Sequence, residues 1–195
     1  MLLSLLILLG MYGIYVLYKV LDSLLFPPKQ NLKEITIPNG DVDNMTGLEF
    51  EKYCINLLIR TGRFTRAQMT NANNDYGADI VAVDNEGNRW VFQCKRYSSN
   101  LNNKPIQEVI GSMAHYKATK AAVITNSRFT ENAKVLGREN GVWLIDRAGL
   151  SQLEKQAKER EEEKHTKKQE QLEQRNDNSN SNSEVHKTPE EMPHK

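Results

Sequence analysis

Residues 77–97 read GADIVAVDNEGNRWVFQCKRY, and the alternation within this stretch decides the fold. Two β-rich runs, Ile80–Val83 and Arg89–Tyr97, flank Asp84-Asn85-Glu86-Gly87, which reads as a hairpin turn. A turn centred on Glu86 sets Asp79 opposite Gln93 and diagonal to Lys95. Side chains alternate along a strand, so Gln93 and Lys95 share a face while Trp90, Phe92 and Cys94 turn to the core. A carboxylate, an amide oxygen and an ammonium group thus converge at one edge of a sheet.

Working upstream, residues 46–61 read as a helix. Thr46 and Glu49 form a capping-box pair, and Met45 with Phe50 makes a hydrophobic staple. Phe50, Tyr53, Cys54, Leu57 and Leu58 follow at helical spacing, and Gly62 stands at the C-cap. A short strand, Phe64–Met69, and a polar loop, Thr70–Tyr76, lead into the hairpin; Asp75 in that loop reads as a turn former or a support for the site. Downstream, Pro105 opens a second helix with Ile106, Val109, Ile110 and Met113 inward. Ala121–Thr125 is a buried strand, Thr130–Glu139 a helix, Val142–Ile145 a strand, and Ala148 begins a last helix whose apolar positions end at Leu153. The order α-β-β-β-α-β-α-β-α, with a hairpin first and crossovers after it, predicts an α/β fold with a mixed β-sheet flanked by helices.

The flanks differ in kind. From Met1 to Tyr18 no side chain is charged, and a helix there would measure roughly 27 Å, near the hydrocarbon thickness of a bilayer. Residues 1–26, stopped by Pro27-Pro28, are therefore expected to be a retained transmembrane helix rather than a cleaved leader, which would carry a basic start and a small-residue cleavage site. Lys19, Lys29 and Lys33 all follow the run, so the positive-inside rule places the remainder in the cytoplasm, a single-pass protein of the inner or plasma membrane. Residues 27–45 read as a linker, 154–175 as a charged, solvated or frayed helix, and 176–195 as a disordered tail.

Charge is unevenly laid out. Residues 46–153 hold 14 basic and 10 acidic side chains, whereas 1–45 hold 3 and 4 and 154–195 hold 9 and 11. Only the middle is both basic and apolar enough for a core. Cys54 and Cys94 exclude a disulfide scaffold, and the lack of CxxC excludes a structural zinc knuckle. Both cysteines read as core, His115 as surface, and no Ser/His/Asp or Cys/His set stands out.

Oxygen donors such as Asp79 and Gln93 beside Lys95 could hold a hard cation and a phosphate together. A three-residue polar set on a hairpin is more often the mark of a solvated face. Gly77-Ala78-Asp79-Ile80 followed by Val91-Phe92-Gln93-Cys94-Lys95-Arg96-Tyr97 resembles the catalytic signature of Mrr-type restriction endonucleases, in the PD-(D/E)xK nuclease superfamily, in a branch with Gln at the first place of the ExK pair. Thr46–Glu51 with Leu57-Leu58 is similar to that family's first helix, and Ala122–Asn126, Phe129-Thr130 and Leu144–Asp146 to its later elements, so the resemblance covers residues 46–153. It implies a Mg²⁺-dependent DNA endonuclease, with Mn²⁺ as a substitute. By that resemblance Asp79, Gln93 and Glu51 hold the metal, Lys95 is the catalytic lysine, and Gln107 supports the site. Glu49 competes with Glu51, but its capping role accounts for it. Arg96, Lys104, Lys117, Lys120 and Arg128 are candidate phosphate contacts, and Gln107 is counted with them among the nucleic-acid-binding residues.

The membrane tether implies that DNA is met at the membrane, in restriction or defence against foreign DNA, and a homodimer would cut both strands in one encounter. No residues for sequence or methylation specificity are identifiable. The rival expectation is a weak or inactive nuclease fold that binds nucleic acid at the membrane, because Gln93 removes one negative charge from the metal site.

Overall fold

The computed structural model describes the backbone of residues 2–25, 41–70 and 76–184, and the side chains of residues 4, 7–21, 41–70 and 76–174. Most of the predicted linker, Asp75 with most of its loop, and the tail after Glu184 lie outside the described residues.

The hairpin forms in the expected register. Strand β2 (Ile80–Asp84) pairs antiparallel with β3 (Arg89–Lys95), Ile80 opposite Phe92 and Val83 opposite Arg89. Asp84 fixes the turn: its carboxylate accepts from the Trp90 indole, the Asn88 side chain and the backbone N–H groups of Glu86 and Asn88. Burial alone would raise this carboxyl, and those donors outweigh it and hold the group below the ordinary value. Gly87 closes the turn at φ +86°.

Strand β1 (Phe64–Met69) adds antiparallel to β2, while β4 (Lys120–Thr125) and β5 (Trp143–Ile145) add parallel beyond β3, giving the order β1-β2-β3-β4-β5. Helices supply the parallel crossovers: α3 (Lys104–Ser112) between β3 and β4, and α4 (Glu131–Glu139) between β4 and β5. Helix α2 (Gly47–Thr61) starts on the predicted capping box, with Thr46 and Glu49 bonded reciprocally, and ends on Gly62 at φ +71°.

The period of two along the strands sorts the core into two layers. Ile80, Ala82, Trp90, Phe92, Cys94, Ala122 and Ile124 pack on α2, where Phe64 stands edge-on to Trp90 and Phe92. Val81, Val91, Ala121 and Val123 pack under α3 and α4 with Ile106, Val109 and Ala133. With both faces covered, the central strands read as nearly continuous apolar runs.

The last helix departs from expectation. Helix α5 runs Arg147–Glu184, so residues 176–184 are helical, and its charged portion is not solvated all round. Ala157 is fully buried, Tyr53 donates its hydroxyl to Glu154, Arg60 makes a bidentate pair with Glu161 at 2.7 and 2.8 Å, and Arg160 donates to the Thr61 carbonyl at 2.9 Å. The charges of these turns pair with α2, which is why a hydropathy pattern does not reveal the contact.

At the N-terminus, α1 (Leu2–Leu25) is helical as predicted, with Ile7, Leu8, Leu9, Met11, Ile14 and Leu17 exposed. Among the described residues no helix is long and apolar enough to cross a membrane. The transmembrane span expected over 1–26 is therefore not supported by the described residues.

Candidate functional site

The site lies where β2 begins and β3 ends, at the carboxyl end of the parallel part of the sheet, the place where open α/β sheets take ligands. Asp79, just before β2, and Gln93 and Lys95 on β3 share the sheet face covered by α3. Asp79 is 9% exposed and Gln93 2%. The Asp79 Oδ2 atom accepts from Gln93 Nε2 and from the Cys94 backbone N–H, each at 2.6 Å. Its own backbone N–H donates to the Phe92 carbonyl at 2.8 Å, so main chain and side chain together fix the carboxylate. Gln93 Oε1 is buried with no hydrogen-bond partner among the described residues.

Lys95 Nζ stands 3.7 Å from Glu108 Oε2 on α3, and Glu108 Oε1 is 3.9 Å from Lys104 Nζ. Sequence reasoning missed Glu108, which is brought to β3 only by the way α3 crosses the sheet. No local spacing marks it; what the structure shows is how closely Gly77 approaches this turn of α3. At φ +88° that glycine lies so close to α3 that a Cβ there would be 2.7 Å from the Glu108 carbonyl oxygen.

Glu51 is half-buried on α2, which covers the opposite face from Asp79, Gln93 and Lys95. It approaches from the Cys94 side. Burial chiefly raises the Cys94 thiol well above its ordinary value, with Cys54 and the Asp79 and Glu51 charges adding to the effect. Both cysteines are free and buried, as their apolar spacing predicted. Glu49 is occupied by its cap: the Thr46 N–H donates to its carboxylate at 2.7 Å, and this holds the group below the ordinary value.

The candidate phosphate contacts divide into two groups. Arg96, Lys104, Gln107 and Arg128 lie at the site end. Arg96 is already engaged, donating to the Asp43 carbonyl at 2.8 Å. Lys104 and Gln107 are exposed on the first turns of α3, and Arg128 lines a surface groove with Asp146, Arg147 and Glu154. Lys117 and Lys120 are not part of this surface. Lys120 pairs with Trp90 and Thr125 with Lys95, so Lys120 sits about five residues, or roughly 17 Å, towards the other end of the strand. The crossover returns the chain to that end before β4 begins. His115 is exposed, as predicted, and stacks on Tyr76 at 3.7 Å between ring centroids.

A rim network adds residues that the sequence did not single out. Asp43, just before α2, takes both Arg147 guanidinium nitrogens at 2.7 and 2.8 Å and the Asn126 amide at 2.6 Å. Asn126 in turn accepts from the Tyr97 N–H at 2.8 Å. The Arg147 hydrogen bonds are the main reason the Asp43 carboxyl is lowered to about 2.

Whether this donor set suits a divalent cation can be judged from its atoms. Among the described residues no three His, Cys, Asp or Glu side chains gather into a metal cluster. The oxygens on offer are the Asp79 carboxylate and the orphaned Gln93 Oε1, with Glu51 approaching from α2. Oxygen-only donors with one buried acceptor unsatisfied fit a hard cation such as Mg²⁺.

No curated protein matches the chain. Solved structures that resemble it include the MspJI restriction endonuclease in complex with a 27-mer oligonucleotide (TM-score 0.43, 16% identity, covering 53% of this chain and 26% of that one). A protein of unknown function, AF1548, gives TM-score 0.41 at 20% identity over 48% of this chain and 54% of that one. A repair endonuclease from Pyrococcus abyssi gives 0.29 at 22% over 34% and 30%. The chain thus spans about half the length, or less, of these structures. Residues 42–153, more than half of the chain, match the Mrr_cat model, described as restriction endonuclease, and the chain belongs to that family.

Proposed function

We propose that this protein hydrolyses phosphodiester bonds in DNA as a divalent-metal-dependent endonuclease. The observation that carries the reading is the buried Asp79–Gln93 pair on the same face as Lys95, with Gln93 Oε1 unsatisfied among the described residues, inside a restriction-endonuclease-family domain. Asp79 and Gln93, with Glu51, would hold Mg²⁺ or Mn²⁺. Such an ion, when bound, polarises the phosphoryl group and lowers the pKa of water.

The chain's own residues do the rest. Two donors hold the Asp79 carboxylate in one orientation, so it costs little reorganisation at the moment of reaction. Lys95, half-buried at the strand end, is suited to offset negative charge growing on the non-bridging oxygens and to orient the attacking water. Lys104, Gln107 and Arg128 at the same end would meet the phosphate backbone, which positions the duplex without reading its sequence.

The proposal extends to attachment at the membrane through α1. The charge-free run Met1–Tyr18 and the apolar side chains exposed at residues 7–17 support it, since exposed apolar surface favours an apolar surrounding. Co-sedimentation with lipid vesicles of the full chain, but not of residues 41–195, checks this, and a full chain that stays in the supernatant removes it. The cytoplasmic location, the homodimer and a role in restriction belong to the same reading.

The test of activity is incubation of the purified chain with linear and supercoiled DNA, with and without Mg²⁺ or Mn²⁺, alongside Asp79→Ala and Lys95→Ala. Metal-dependent cutting lost in both variants is expected. A second reading, a module that binds DNA without cutting, is favoured by one feature: an amide stands at Gln93 where a carboxylate would complete the charge. Binding without cutting, unchanged in the variants, would establish it.

A further inference from the structure

We infer that Glu108 is the positioning residue for Lys95, holding its ammonium group beside Asp79 and Gln93. The inference rests on the endonuclease reading and deepens it.

Lys95 is the last residue of β3, paired with Thr125 of β4, and carries its ammonium group on a flexible four-carbon stem. That ammonium group meets Glu108, 3.7 Å away on α3. Both side chains are partly covered, Lys95 28% exposed and Glu108 30%, so the pair sits at the mouth of the site rather than in open solvent. The second Glu108 oxygen faces Lys104 Nζ at 3.9 Å, which draws the carboxylate between two cations.

The placement of Glu108 is itself built in. A Cβ on Gly77 would come within 2.7 Å of the Glu108 carbonyl oxygen, 3.1 Å of its carbonyl carbon and 3.2 Å of its Cβ, so a side chain there would displace one segment or the other. Gly77 also leads directly into Asp79. One close contact therefore ties the Asp79 segment to the turn of α3 whose Glu108 carboxylate meets Lys95. Ile106 and Val109, fully buried, anchor the helix turns on either side of Glu108.

A carboxylate at this position carries a cost for the proposed substrate, because it repels phosphate on the face that DNA would occupy. A partly exposed ion pair also contributes little to stability. Neither folding nor DNA binding accounts for a glutamate here, and orientation of the lysine does.

The test uses the full chain with Glu108→Gln and Glu108→Asp, measuring plasmid cleavage kinetics in Mg²⁺ and in Mn²⁺, DNA affinity without metal, and thermal midpoint. For Glu108→Gln the expected result is a fall in kcat on the order of tenfold to a hundredfold, from a misplaced catalytic group. DNA affinity is expected to be unchanged or tighter, the midpoint unchanged, and kcat partly restored in Glu108→Asp. Unchanged kcat in Glu108→Gln overturns the inference, as does a loss of kcat matched by equal losses in DNA affinity and midpoint. A wild-type chain that cuts no DNA with either metal removes the endonuclease reading and this inference with it, whereas cutting by wild type and Glu108→Gln alike removes the inference alone.

Discussion

The Gln93 amide donates to Asp79 Oδ2 over 2.6 Å and leaves its own oxygen buried and, among the described residues, unpartnered. A neutral amide thus keeps a buried carboxylate satisfied while no cation is present. A second carboxylate in its place would face Asp79 at hydrogen-bonding distance as a like charge, and the two would have to share a proton or recruit a cation.

Gln93→Glu tests that relationship. Without metal the variant should be less stable by about 1–3 kcal/mol at neutral pH, because the donor to Asp79 is lost and a second buried charge is added. The deficit should shrink as acid protonates the pair. Mg²⁺ should raise the thermal midpoint of Gln93→Glu more than that of the wild type. Equal midpoint shifts would mean that the cation does not bind at this position.

Gly77→Ala tests the contact between the Asp79 segment and α3. The residue sits at φ +88°, and the added Cβ would meet the Glu108 carbonyl oxygen at 2.7 Å. Backbone strain plus the displaced helix should cost about 1–3 kcal/mol in denaturant unfolding. Cleavage should fall further than stability alone explains, since α3 carries Glu108 towards Lys95. Wild-type stability would mean that the loop yields without cost.

The Asp43–Arg147 clasp gives a pH signature. The folded carboxyl is lowered to about 2, chiefly by hydrogen bonds from Arg147, against an ordinary value of 3.8. A depressed folded value means that the contribution is fully present above the ordinary value and is lost as pH falls from there through about 2. Asp43→Asn should therefore be less stable than wild type by a constant margin from pH 5 to 8, with the two curves converging below about pH 4. A margin that persists at pH 2 would assign the effect to the Asn126 hydrogen bond rather than to charge.

What the sequence revealed and what it concealed divide along one physical line. The 77–97 hairpin and the Thr46–Glu49 cap are local: alternation and a turn centre give the register, and a three-residue spacing gives the cap, so Asp79, Gln93 and Lys95 could be brought together without coordinates. The two helix crossovers are not local. Where α3 lands decides that Glu108 meets Lys95 and that Lys120 pairs with Trp90 at the far end, and residue spacing carries neither fact. Charge concealed contacts in the same way. Arg96, a candidate phosphate contact, also donates to the Asp43 backbone, and Glu161, within a run that reads as solvated, pairs with Arg60 once the two helices are set side by side.

That last pairing makes the extent of the folded unit testable. A chain ending after Leu153 keeps the apolar positions visible in the sequence but loses buried Ala157, the partners of Tyr53 and Arg60, and the Arg160 bond to Thr61. The Arg60–Glu161 pair is partly exposed, at 32% and 45%, and counts for little after solvent screening. Ala157 burial and the polar groups uncovered on α2 carry most of the effect, about 1–3 kcal/mol in all. A chain ending after His165 keeps every one of these contacts. Its residues beyond that point are exposed wherever their side chains are described, so its urea midpoint should match the full chain's. If both truncations behave like the full chain, the α2–α5 contact adds nothing to stability. If only the shorter one unfolds early, the domain reaches at least to Glu161, past the point where its apolar pattern stops.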